Sequence, residues 1–251
     1  MPVTQLPGDA HEERRGRLLA EGLGTAFLLA AVVGSGIMGD RLAGGNVAIA
    51  LLANTVATGA SLFALITTFG PISGAHFNPA VTMMEAAMGR LAWREVLGFL
   101  TAQVLGAFAG VAIADAMFGV PVFAWSQHVR AGAPQLLSEA VATFGLLTVI
   151  GCGVRYRPDA VPYSVAAYIT SAYWFTASTS FANPAVTLAR AATDTFAGIR
   201  ASDVPGFVLA QAIGWVVAMA VLPQLLPRVR LRESKSPAVT ELRAVEGGET
   251  R

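Results

Sequence analysis

At 251 residues, 54% of them hydrophobic and 13% charged, with 26 glycines, the chain is too apolar and too poor in charge for an ordinary water-soluble domain. A formal net charge of +1 leaves no basic surplus for nucleic acid, so membrane lipid rather than nucleic acid is the expected surrounding. The single cysteine, Cys152, excludes an internal disulfide and a cysteine-based metal cage, and nothing in the chain calls for a cofactor or metal.

In chain order, residues 1–16 are polar and read as a cytoplasmic segment, with Arg14, Arg15 and Arg17 at its edge. An apolar run over 18–37 follows without a small-residue cleavage site, which reads as an uncleaved first span. Comparable runs at 47–69, 96–118, 136–154, 161–177 and 204–226 bring the count to six spans across ~30 Å of hydrocarbon. Two shorter apolar pieces, 80–88 and 185–192, cannot cross and read as re-entrant half-helices. The predicted architecture is therefore an all-α membrane protein of six transmembrane helices and two half-helices, with a channel domain over 17–227 built from repeats at 17–118 and 134–227. Residues 228–251 are polar and read as a disordered cytoplasmic tail.

Orientation follows from the basic residues. Arg14, Arg15, Arg17, Arg90, Arg94, Arg155, Arg157 and those of the tail fall on one face, against Arg41, Arg130, Arg190 and Arg200 on the other. Lys and Arg concentrate on the cytoplasmic side of membrane proteins, so both termini are placed inside.

The chain repeats itself. Asn78-Pro79-Ala80-Val81-Thr82 recurs as Asn183-Pro184-Ala185-Val186-Thr187, the segment 99–106 has a counterpart at 207–214, and Glu21 and Glu139 each open a repeat's first span. A unit of three spans is odd-numbered, so its second copy runs through the membrane in the opposite sense. The two Asn-Pro-Ala segments then enter from opposite faces. Asn is a favoured N-cap and Pro a favoured first helical residue, so each motif starts a short helix. Two such helix ends meeting at the midplane make an electropositive point that disfavours cations. Each Asn oxygen is free to cap while its NH₂ faces the lumen as a donor.

The segments ahead of the motifs must be non-helical, which places Gly74, Ala75 and His76 in the wall of a wet cavity. For Glu21 and Glu139 two roles compete: proton carriers, or fixed acceptors for loop amides. Symmetric placement and the lack of a mid-span basic partner favour the acceptor role. His76 reads as a hydrogen-bonded wall residue, with pH sensing as the alternative. Gly106 and Gly110 have GxxxG spacing, suited either to packing inside the bundle or to association between subunits.

The paired Asn-Pro-Ala motifs, the segment 73–82, the paired glutamates and the Ala-Gln-x-x-Gly spans together resemble the aquaporin, or major intrinsic protein, family over about residues 17–227. The resemblance implies an hourglass fold, a homotetramer with one pore per subunit, and passive permeation of small neutral solutes. It also places a filter at four sites, which counting without gaps maps to Thr58, Ser171, Ser180 and Val186, unless a shift brings Phe181 into the wall. Val186 stands where the family commonly has an arginine, so the filter is expected to be wide and weakly polarising. Arg190, four residues on, is expected either to lend charge to the outer vestibule or to snorkel outward. The arginine-free motif is similar to a bacterial aquaglyceroporin-like subgroup, some members of which are linked to arsenic resistance. Glycerol-like polyols, arsenous acid and water in a bacterial-type inner membrane are the implied solutes and setting. The rival reading is an ion-coupled secondary transporter. A membrane-embedded enzyme finds no support in any catalytic motif.

Overall fold

A computed structural model describes residues 10–226 of the chain, and every regular element among them is helical. The proposed tail at 228–251 and the first residues of the amino-terminal segment lie outside the described residues. The part of that segment within them is already helix: α1 runs Ala10–Leu42, earlier than the apolar run alone implies, with Glu12 and Glu13 in its first turn where they complement the helix dipole. Helix α2 (Val47–Ser73) begins at Asn46, whose side-chain oxygen accepts from the amides of Ala48 and Ile49, and stops at Gly74 in the left-handed conformation. After it come α3 (Pro79–Ala87), α4 (Trp93–Met117), α5 (Ala133–Tyr156), α6 (Val161–Phe175), α7 (Pro184–Arg190) and α8 (Val204–Leu225).

Five of these helices, α1, α2, α4, α5 and α8, are long and apolar enough to cross a membrane. Helix α6 is shorter than the expected span because it ends at Phe175, where Thr176 turns extended; its 15 residues rise roughly 22 Å. The half-helices α3 and α7 each start at the proline and end a residue or two before the bounds read from composition.

The packing follows the repeat. Helix α1 packs on α2 and α4, as α5 packs on α6 and α8, and α2 against α6 joins the two halves. The half-helices fill the space between, α3 beside α4 and α7 beside α8 and α4, with their amino ends in contact. Large apolar side chains such as Leu97, Leu105, Leu137 and Leu209 face outward, as lipid-facing positions do.

The glycines settle one choice the spacing left open. A Cβ on Gly106 would lie 2.2 Å from the Gly22 carbonyl oxygen, and one on Gly110 would lie 2.2 Å from that of Ala26. The GxxxG face of α4 therefore packs on α1 inside the bundle, and Gly214 of α8 sits equally close, 2.3 Å, to the Ala140 carbonyl of α5. Gly106→Ala is expected to cost about 1–3 kcal/mol, because backbone rather than a flexible side chain must give way. Thermal unfolding in detergent against Gly16→Ala, where nothing lies within 4 Å of the added Cβ, checks this; equal midpoints would show that α1 and α4 separate freely.

Candidate functional site

The site starts from backbone that an L-residue adopts reluctantly. Ala75 and Phe77 before the first motif, and Thr179, Ser180 and Ala182 before the second, have φ between 46° and 60°. Left-handed backbone of this kind costs on the order of 1–3 kcal/mol per residue and persists only where surrounding contacts dictate it. Here the contacts are two buried carboxylates. Glu21 accepts at Oε1 from the Ser73 hydroxyl (2.6 Å) and the His76 amide (2.9 Å), and at Oε2 from the Phe77 amide and Gln103 Nε2, both at 2.8 Å. Glu139 repeats the set atom for atom: the Ser178 hydroxyl and Phe181 amide on Oε1, the Ala182 amide and Gln211 Nε2 on Oε2. Gln103 and Gln211 donate also to Thr82 and Thr187, the threonines of the two Asn-Pro-Ala-Val-Thr pentads, tying each loop to its half-helix. With four donors aimed at each carboxylate, both oxygens are acceptors throughout.

The asparagines cap and also clasp each other's loops. Asn78 Oδ1 accepts the Ala80 amide, and Asn183 Oδ1 those of Ala185 and Val186. Their NH₂ groups are not free for the lumen as a pair: Asn78 Nδ2 donates to the Ala182 carbonyl and Asn183 Nδ2 to that of Phe77, each at 2.8 Å. One hydrogen of each amide thus locks the two re-entrant loops together, leaving the other to face the cavity. Composition and spacing gave no sign of this exchange because its partners are about a hundred residues apart.

A cavity of about 260 Å³ runs past the meeting point. Asn78 and Asn183 line it, with Gly74, Ala75, His76, Phe181, Thr58, Tyr173, Ser180 and Val186 among the wall residues. His76 is held by Thr82, 3.1 Å from its Nδ1. Three of the four positions counted as the filter are here. Ser171 is not: it is exposed on the outer face of α6 and donates to the Tyr168 carbonyl, and Tyr173 takes the inward position instead. Two residues along a helix turn a side chain through about 200°, so a gap-free count that is off by two points the wrong way. The Tyr173 hydroxyl lies 3.2 Å from that of Thr58, joining α2 and α6 across the cavity. Ser180 and Phe181 both line it, and the Ser180 hydroxyl has no partner among the described residues.

Arg190 does not snorkel outward. Only 2% of it is exposed; its Nε donates to the Ala197 carbonyl and its guanidinium stacks on the Phe181 ring, 3.4 Å from the centroid. Arg130, from the connection between α4 and α5, comes over the same ring at 5.0 Å. Its Nε donates to the Gly198 carbonyl, and burial lowers its pKa to about 10, which leaves it cationic at neutral pH.

The sequence model of the family described as Major intrinsic protein matches residues 10–168 of this chain. The chain belongs to the major intrinsic protein family. It is 56% identical over 214 residues to "Aquaglyceroporin AqpS" of Rhizobium meliloti (strain 1021), covering 85% of this chain and 91% of that protein. It is 32% identical over 158 residues to the "Probable glycerol uptake facilitator protein" of Thermotoga maritima, covering 56% of this chain and 66% of the relative. The X-ray structure of the aquaglyceroporin from Plasmodium falciparum superposes on 85% of this chain and 98% of its own length with a TM-score of 0.63 at 22% identity, which establishes the shared fold. Major intrinsic proteins are channels, so the protein is a multi-pass membrane channel and not an enzyme.

Several residues of this major intrinsic protein escape a motif-based reading. Arg130 lies in a connection with no repeat partner, and only its convergence with Arg190 marks it. Asp115, two residues before the end of α4, is fully buried and accepts from the Thr193 hydroxyl at 2.8 Å.

Proposed function

We propose that the protein is a passive channel for small uncharged polar solutes: glycerol-like polyols, neutral metalloid acids such as arsenous acid, and water. The observation that carries this reading is the cavity itself, which passes the paired asparagines between two opposed half-helix amino ends and is lined also by Thr58, Tyr173, Ser180 and Val186. Two positive helix ends meeting in a low-dielectric interior disfavour cations, while hydroxylated neutral solutes can accept from the asparagine amides and exchange bonds with Thr58, Tyr173 and Ser180. In this reading Glu21 and Glu139 brace the loops rather than carry protons. The working form is a homotetramer in a bacterial inner membrane with both termini cytoplasmic.

Glycerol uptake into proteoliposomes is expected to stop at the equilibrium level and to be indifferent to an imposed proton gradient or membrane potential. Accumulation above equilibrium would identify a coupled transporter instead. Parallel stopped-flow runs with water, urea and arsenous acid order the solutes.

A further inference from the structure

Outside the constriction lies a second cavity, of about 140 Å³, bounded by Val47 and Asn54 of α2, His128 and Arg130 of the α4–α5 connection, Thr179 and Arg190. Arg190 lines both cavities and so stands at their boundary. Arg130 and Arg190 are 93% and 98% buried, their exposures being 7% and 2%. Buried guanidinium groups are normally matched by carboxylates. Among the described residues neither arginine has an ion-pair partner.

The nearby acids are committed elsewhere. Asp203 receives the Arg130 main-chain amide on one oxygen and Arg200 on the other, Asp194 receives the Gln127 amide, and Glu139 is filled by its four loop donors. Arg130 spreads its donors over the carbonyls of Gly198, Ser178 and Phe196 and the Thr179 hydroxyl, which fix the group without neutralising it. Arg190 spends Nε on Ala197, and its two Nη groups have no acceptor within the described protein. Burial, with Arg130 and Arg190 nearby, lowers the pKa of His128.

A guanidinium fork beside a second cation is matched by the two oxygens of a small oxyanion, and a cavity of this size admits only a few heavy atoms. The inner cavity beyond Arg190 is lined in part by Leu28, Val32, Leu62 and Val81, which give an anion neither donors nor charge, so it is held best at the two arginines. We propose that this outer chamber binds a small monovalent oxyanion of carboxylate type on Arg190 and Arg130, and that its occupation throttles the passage of neutral solutes past the same Nη donors. The throttling part rests on the inner cavity being the solute pathway; the binding part does not.

The test uses the full chain. Formate is titrated into purified wild-type protein by isothermal calorimetry, and external sodium formate is raised during glycerol flux measurements in proteoliposomes, with sodium gluconate, too large for the chamber, replacing it at constant ionic strength. Saturable heat with formate alone and a saturable loss of more than half the glycerol flux are expected. Arg190→Gln should abolish both responses whatever its basal rate. Should that variant fail to fold, Val47→Glu keeps both arginines, adds a carboxylate at an exposed first-turn position of α2 that lines the chamber, and should abolish them as well. Formate and gluconate acting alike, or either variant retaining wild-type formate inhibition, would overturn the proposal. Formate binding without any glycerol flux would leave the site standing and count instead against the channel's assigned solute.

Discussion

Glu139→Gln is expected to remove most of the folded, membrane-inserted protein, and Glu21→Gln to do the same in the other repeat. Each glutamate is fully buried with two donors on each oxygen. A glutamine keeps one acceptor oxygen and turns an NH₂ toward the other pair. At position 139 that strands the Ala182 amide, and Gln211 can accept only by giving up its bond to Thr187. Two bonds to a charged acceptor are lost at about 1.5–3 kcal/mol each, or roughly 3–6 kcal/mol, against a whole-domain stability of about 5–15 kcal/mol. The left-handed residues these bonds hold, Phe77 on one side and Ala182 on the other, are then free to relax, and the loops with them. Folded yield by size-exclusion chromatography, beside any surviving flux measured against pH, makes the test. Normal yield with loss of a formerly pH-dependent flux would assign the carboxylates to proton transfer instead.

Val186→Arg is expected to cut glycerol permeation relative to water by roughly tenfold or more, the factor that about 1.4 kcal/mol of added barrier gives. Val186 is buried in the first turn of α7 and faces the cavity beside Thr58, Tyr173 and Ser180. An arginine there fills space that a three-carbon polyol needs and a water molecule does not. It also adds a cation near Arg190 and Arg130, neither of which has an ion-pair partner among the described residues, so the added guanidinium is pushed toward the lumen. Water and glycerol fluxes at matched protein density decide the matter. An unchanged glycerol-to-water ratio would mean that Val186 lies off the narrowest point.

Much of the molecule is written in local pattern. Apolar run lengths gave five of the six expected spans and overran the end of α6, and the repeated Asn-Pro-Ala-Val-Thr pentad gave the half-helices, because capping asparagine and first-turn proline act within a few residues of themselves. The inverted repeat also made Glu21 and Glu139 stand out as a pair. What the pattern could not give is set by side chains that meet from distant parts of the chain. Ser171 and Tyr173 differ by two positions on one helix, and only the rotation of α6 against α2 decides which faces Thr58. The clasp between Asn78 and the Ala182 carbonyl exists only once both loops are in place. Arg130 and Arg190 read in sequence as two separate charges at helix ends or in loops. The fold brings both onto Phe181 without an ion pair among the described residues, because burial and pairing of a charge depend on what the rest of the chain puts around it.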